Sequence, residues 1–353
     1  MSVLPTSADF SFLALCWTIA FVFFATALLL CLAIVIRRVR RNRLFAKRKI
    51  QQAAFQNYIS QQLKQNLAEQ PTENVPPCHI DDITTVLLHY FRTLKGRQYN
   101  QLQDLISGSK IEADITRSSS SGVRGARMRA VRVLSHLHSQ TSTQVIFDNL
   151  VSEDKYVRLT AAKSLVQRGS TFFLTDIINS INDAFPDDVQ LLAGIIFDFG
   201  TDVVAPLEDY IKTSNNATAR AACLEALSQI MPPQTSLNLG ALMGDPSELV
   251  RTATLSLAMI ARSPDGSDPL RMGLQDKAIS VKIRAAKLAC DQRRSDVTSE
   301  LYALTNSPEM WVRYWALRAI WTTGTSGQQF VETLRKTNPL ATDVALEMRS
   351  GYV

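Results

Sequence analysis

Seven times along the chain a small or β-branched residue precedes a basic or amide one: Ala126-Arg127, Val157-Arg158, Val189-Gln190, Ala219-Arg220, Val250-Arg251, Val281-Lys282 and Val312-Arg313. The spacings between successive pairs are 31, 32, 30, 31, 31 and 31 residues. Four residues after each anchor stands Ala130, Ala161, Ala193, Cys223, Thr254, Ala285 or Ala316, and eight after it Leu134, Leu165, Phe197, Leu227, Ala258, Ala289 or Ile320. Offsets of 0, 4 and 8 share one helical face, with small residues where helices approach closely and larger ones where they fill space. A period of this length is one supersecondary unit stacked many times, so the pattern predicts an all-α chain built as a solenoid of helical hairpins.

Five residues before six of the anchors stands Ser121, Ser152, Ser214, Asp245, Asp276 or Ser307, with Ala184 breaking the series. Such side chains accept hydrogen bonds from the free amides of a first helical turn, and the expectation is that they are the N-caps of the recurring helices. Asp245-Pro246 and Ser307-Pro308 add proline at the start of a helix, where its missing N–H is harmless. Asn338-Pro339 repeats the signal 31 residues after Ser307 and predicts an eighth unit.

A hydroxyl or acidic residue, five residues on a Val-Arg pair, then small apolar residues: this resembles the second helix of HEAT repeats, and Pro206 matches the proline of that family's first helix. The resemblance covers residues 118–353. It implies about eight antiparallel helical hairpins stacked into a curved α-solenoid, second helices lining the inner surface, and a function in binding rather than chemistry. The basic residue after each anchor (Arg127, Arg158, Arg220, Arg251, Lys282, Arg313) is expected to pair with acidic groups of neighbouring units and hold them in register.

The other end of the chain predicts a membrane location. Residues 10–36 carry no charged side chain, a length of about 40 Å as helix against a bilayer core of about 30 Å. Only Asp9 precedes this run, while Arg37, Arg38, Arg40, Arg41, Arg43, Lys47, Arg48 and Lys49 follow it. That order is opposite to a cleaved signal peptide. It predicts a retained single-pass anchor (1–36) with the N-terminus outside and the solenoid cytoplasmic, in the inner membrane if the source is bacterial. The basic flank reads as a topology signal that also suits anionic headgroups.

Between anchor and solenoid three segments are expected. Residues 37–69 combine the basic flank with an amphipathic stalk helix marked by Phe55, Ile59, Leu63 and Leu67; residues 70–79 form a proline-rich linker; residues 80–117 form a helical pair capping the solenoid. Residues 108–122 read as a loop, with Ser118–Ser121 as a run open to modification.

Charge and chemistry narrow the function. The net charge of +6 belongs to the basic flank, since residues 50–353 sum to −1, which argues against a nucleic-acid partner. Five cysteines form no CxxC pair and read as reduced. His79, His89, His136 and His138 have no metal-ligand spacing, and no phosphate-binding, nucleophile-elbow or zinc-protease motif occurs. HEAT-like di-iron hydroxylases depend on His-Glu pairs, and no His-Glu dipeptide is present. No enzyme activity, cofactor or metal is therefore expected.

Positions three and six after each anchor fall off the face defined above and are the expected binding surface: Arg129/Arg132, Thr160/Lys163, Leu192/Ile195, Ala222/Glu225, Ala253/Ser256, Arg284/Lys287 and Trp315/Arg318. Trp311 joins Trp315 and Arg318 in an aromatic and cationic stripe, of the residue types that dominate binding hot spots. The opposing reading is that the eighth unit, through Phe330, covers these tryptophans. Together these features predict a membrane-anchored scaffold for a protein partner, as an accessory subunit of a transport or polysaccharide-synthesis assembly. The alternatives are an enzyme resembling HEAT-like phycobilin lyases and a lipid-surface protein acting through residues 37–69.

Overall fold

The computed structural model describes all residues except 1–6, 66–74, 170, 233, 263, 265 and 351–353. Residues 70–74 of the expected linker 70–79, Leu67 of the stalk, and the side chains of much of the apolar run lie outside the described residues. Among those described, the secondary structure is helical throughout and divides into two compact units, residues 1–118 and 119–353.

In the first unit the helices are α1 (Ser7–Gln65), α2 (Ile80–Thr93), α3 (Arg97–Ile106) and α4 (Lys110–Ser118). Helix α1 runs unbroken from the apolar run through the basic flank into the stalk. Its last turns carry Phe55 and Ile59, both fully buried, and pack on α2 and α3. Ser60 Oγ lies 2.9 Å from the Tyr90 hydroxyl. Trp17, Phe21, Phe24, Leu28–Leu30, Leu32 and Ile34–Ile36 stand exposed along α1, as do all eight basic residues of the flank. Among the described residues no single helix is long and apolar enough to cross a membrane; one bent pair, Val189–Phe197 with Gly200–Thr213, passes by length and composition alone.

The loop expected over 108–122 is largely helix α4. Ile111 and Ile115, one turn apart, are buried in the unit's core. Ser109 accepts from the N–H of Glu112 at 3.5 Å, and the Glu112 carboxylate accepts from the N–H of Gly108 at 2.6 Å. The Ser-x-x-Glu spacing is a helix-start signal readable in the sequence, with the glutamate here reaching the N–H one residue before the serine.

The second unit begins with α5 (Arg124–Leu134) and continues with seven helical hairpins. These are α6 (Gln140–Asp148) with α7 (Lys155–Gln167), α8 (Leu174–Ala184) with α9 (Val189–Phe197), and α10 (Val204–Thr213) with α11 (Ala217–Ile230). Then come α12 (Leu239–Met243) with α13 (Glu248–Ala258), α14 (Pro269–Leu274) with α15 (Ile279–Asp291), α16 (Thr298–Leu304) with α17 (Met310–Thr322), and α18 (Thr325–Leu334) with α19 (Pro339–Ser350). Each hairpin packs on itself, and the second helices α5, α7, α9, α11, α13, α15, α17 and α19 pack side by side in a row. The unit is an α-solenoid, and eight second helices match the eight expected repeats.

The periodic residues make this stack. All seven residues four positions after an anchor (Ala130, Ala161, Ala193, Cys223, Thr254, Ala285 and Ala316) are fully buried. Five of the anchors, Val157, Ala219, Val250, Val281 and Val312, are fully buried too. Small side chains let the second helices approach one another, and at the eighth position Leu134, Leu165, Leu227 and Ile320 are fully buried while Phe197 is exposed.

The expected N-caps are displaced by two residues. The helices begin after Val123, Asp154, Asn216, Ser247, Ala278 and Glu309. Ser121, Ser152, Ser214, Asp245, Asp276 and Ser307 each accept from the backbone N–H two residues on, at 2.8 to 3.3 Å. They are Asx- and Ser-turn residues that set up the bend into each second helix. Short polar side chains serve both roles, and their composition alone does not separate the two.

Candidate partner-binding surface

The inter-repeat contacts start from these turns. Arg158, Arg251 and Arg313 each donate to the carbonyl of their own turn residue, Ser152, Asp245 and Ser307, at 2.6 to 2.7 Å. From the unit before, Arg127 reaches Ser152 Oγ at 3.1 Å, Arg220 reaches Asp245 at 2.8 Å, and Arg251 holds Asp276 through two hydrogen bonds of 2.7 and 2.9 Å. Burial works to raise the Asp276 carboxyl, but the Arg251 hydrogen bond, backbone N–H groups and the guanidinium charge hold it below the ordinary carboxylate range. Arg127, Arg220 and Arg251 are thereby engaged across a repeat boundary, the last two with acidic groups as the resemblance implied, while Arg158 and Arg313 bind carbonyls of their own turns.

The third and sixth positions after each anchor divide into two groups. Thr160, Leu192, Ile195, Ala222, Ala253 and Ser256 are buried, so the apolar centre expected around Leu192 and Ile195 is core and offers no binding surface. The reason lies in α9, whose sequence Val189-Gln-Leu-Leu-Ala-Gly-Ile-Ile-Phe197 is apolar on nearly every side, as befits a helix enclosed by its neighbours. Lys163 is exposed, while Glu225, Arg284, Lys287, Trp315 and Arg318 are half-buried.

Glu225, Arg284, Lys287, Trp315 and Arg318, with the buried Ser256 between the first two, lie in sequence across four helices. Ser256 donates to Glu225 at 2.8 Å and Arg284 donates to Ser256 at 2.7 Å, linking α11, α13 and α15. Lys287 Nζ then lies 4.5 Å from the ring centroid of Trp315 on α17, and the Arg318 guanidinium lies 4.9 Å from the same ring. Arg318 continues to α19 through Glu347 at 2.7 Å, and the Tyr314 hydroxyl donates to the other Glu347 oxygen at 2.6 Å.

The two tryptophans of the stripe have different surroundings. Trp315 packs against the hydrophobic core of the last repeats. Trp311 is 56% exposed, stands outside that core, and meets Tyr314 edge-on with centroids 5.6 Å apart. Phe330 packs on Tyr302 with ring centroids 4.2 Å apart, in the layer of first helices, and lies like Trp315 against the core of the last repeats. The stripe is bounded on its C-terminal side by Glu347 of α19, a contact the sequence pattern did not announce because Glu347, 31 residues after Ala316, stands where the other units carry a small residue.

Elsewhere, burial works to raise the Glu208 carboxyl, but hydrogen bonds from Ser236 and Thr235, with the nearby Lys212 charge, hold it below its ordinary range. Glu208 thereby ties α10 to the segment leading into α12. Burial also raises the Cys223 and Cys290 thiols. Among the described residues no three His, Cys, Asp or Glu side chains gather as a metal site.

No family model and no curated protein matches the chain. It is similar to solved structures of karyopherin Kap121p: bound to the SUMO protease Ulp1p, with 14% identity, a TM-score of 0.40 and coverage of 79% of this chain and 36% of that one. The form bound to Nup53p gives 14% identity, a TM-score of 0.40 and coverage of 77% and 36%; Kap121p by itself gives 14%, 0.38, 81% and 36%. The chain thus spans 36% of the length of these proteins. Its assignment as an α-solenoid rests on the hairpin stacking described above.

Proposed function

We propose that this protein is a single-pass membrane-anchored scaffold that holds a protein partner on its HEAT-like solenoid and works by binding, without catalysis or cofactor. The observation that carries the reading is the face shared by α15 and α17, where Trp311 is exposed beside a connected line of cations and aromatics. Exposed Trp and Arg-rich aromatic clusters are the surfaces from which partners draw most of their binding energy.

Anchoring is supported by the uncharged run of residues 10–36, the exposed apolar side chains along α1 and the basic flank that follows. The unbroken helix from Ile36 to Phe55 would set the turns that pack on α2 and α3 about 28 Å from the end of the span. Confinement near a membrane-bound partner raises effective concentration without any new contact. An accessory role in a transport or polysaccharide-synthesis assembly suits such a device.

Two measurements test the reading. A reporter active only in the cytoplasm, fused after Val353, should give signal; silence from a fusion that is active when exported overturns the orientation. Crosslinked pulldown from membranes should recover a protein with the intact chain and lose it with Trp311→Ala, and equal recovery by both removes this face from the proposal.

A further inference from the structure

Over α15 and α17 the sequence carries Lys282, Arg284, Lys287, Arg313 and Arg318 against the single acid Asp291. Three of these cations are engaged elsewhere: Arg313 with the Ser307 and Pro308 carbonyls, Arg318 with Glu347, and Arg284 with Ser256, which itself donates to Glu225. Lys282 occupies the ladder position, off the Trp311 side of the row. Lys287 is different. It forms no ion pair among the described residues, and its charge rests on the face of Trp315, where Arg318 also lies.

Two cations on one indole repel each other, and a ring face holds each only weakly. A carboxylate hydrogen-bonded to Lys287 would hold it more strongly than the ring does and relieve the repulsion. One turn back on α17, Trp311 presents an exposed aromatic surface that the core does not use. The position equivalent to Trp311 on α13 is Leu249, 46% exposed, so an apolar surface recurs two helices away in the same register.

The spacing of the row selects the shape of the ligand. Packed helices lie about 8 to 10 Å apart, and an extended chain of the polyproline II kind advances about 3.1 Å per residue with three residues per turn, so every third residue turns back to the row and meets the next second helix.

Resting on the scaffold reading above, we infer that α13, α15 and α17 together bind an extended acidic segment of a protein partner, with a carboxylate on Lys287 and apolar side chains on Trp311 and Leu249. The segment pairs its negative charge with the uncompensated cation and crosses the helices at about three residues per repeat.

Fluorescence anisotropy of the purified full-length protein tests this with three short synthetic peptides: one repeating Glu with Leu, one with Lys for every Glu, and one with Gly for every Leu. The Glu/Leu peptide should bind and weaken with added salt, and the other two should bind at least about tenfold more weakly. Lys287→Ala and Trp311→Ala should each weaken the Glu/Leu peptide about tenfold with an unchanged unfolding transition, and Lys287→Arg should retain binding. Equal binding of the Lys peptide, indifference to Lys287→Ala, or equally tight binding of a single-stranded oligonucleotide overturns the inference. A membrane partner recovered by a protein that ignores the Glu/Leu peptide sinks the acidic-segment assignment and leaves the scaffold standing; peptide binding without any membrane partner does the reverse.

Discussion

Arg251 closes on Asp276 of the following repeat with both ends of its guanidinium edge, Nε to Oδ2 at 2.7 Å and Nη2 to Oδ1 at 2.9 Å. Asp276 in turn accepts from the N–H of Ala278 at 2.8 Å, so one carboxylate shapes the turn of its own unit and takes the charge of the unit before. Both side chains are mostly buried, at 14% and 8% exposure, where a planar two-point contact fixes rotation and spacing together.

Asp276→Asn should therefore cost about 3 kcal/mol, since it leaves the guanidinium largely buried without its charge partner. The pH dependence has a definite sign. The folded carboxyl is held below its ordinary value by Arg251 and the backbone N–H groups, although burial opposes this. Its stabilising contribution is complete above the unfolded aspartate value of about 3.9 and is lost as pH falls through the lower folded value. Urea unfolding between neutral pH and pH 3 should show an acid-side loss that is shallower in Asp276→Asn; parallel curves would show that the contact carries no proton linkage.

The repeat register is tested on α7. Ala161 is fully buried between helices, whereas Lys163, two residues on, is exposed. Ala161→Asp should destabilise the solenoid by more than about 3 kcal/mol, and Lys163→Ala should change it by less than about 0.5 kcal/mol. Similar melting temperatures for the two variants would contradict the packing of the second helices.

The sequence resolved the repeats well because the constraint is repeated. A small residue four positions after each anchor is required wherever two helices touch, and seven instances in phase make it visible, down to Cys223 and Thr254 standing in for Ala. Turn residues were less legible: Asp245 and Asp276 accept from N–H groups as expected, but two residues ahead of the helix start, and an acceptor's composition does not encode its φ and ψ. The surface was least legible. Positions three and six after the anchor lie beside the neighbouring second helix, so their exposure depends on how closely that neighbour packs, which is why Ile195 is core while Lys287, in the same register, reaches the surface.

A close approach at the last hairpin gives a separate prediction. A Cβ on Gly327, in the first turn of α18, would lie 2.0 Å from the Ile320 carbonyl oxygen and 2.5 Å from Thr323 Oγ1. Backbone sits in the way, so relief requires α18 to move off α17. Gly327→Ala should lower stability by about 1 to 3 kcal/mol in thermal unfolding, and the same change at Gly122, where nothing lies within 4 Å, should be near neutral. Equal effects at the two glycines would mean that the hairpin is looser than described.

The sharpest separation of packing from binding lies within one helix. Trp315 contributes to the core and carries the Lys287 and Arg318 cations, so Trp315→Ala should open a cavity, cost about 3 kcal/mol or more, and release the two cations from their shared ring. Trp311 lies outside that core, and Trp311→Ala should leave stability within about 0.5 kcal/mol while removing a contact of about 2 kcal/mol from partner binding. Thermal unfolding and partner recovery from membranes, measured side by side on both variants, should therefore move in opposite order. If Trp311→Ala also destabilises the fold, and recovery falls only with the folded fraction, the exposed tryptophan is a packing residue and the binding face must be sought elsewhere along the row.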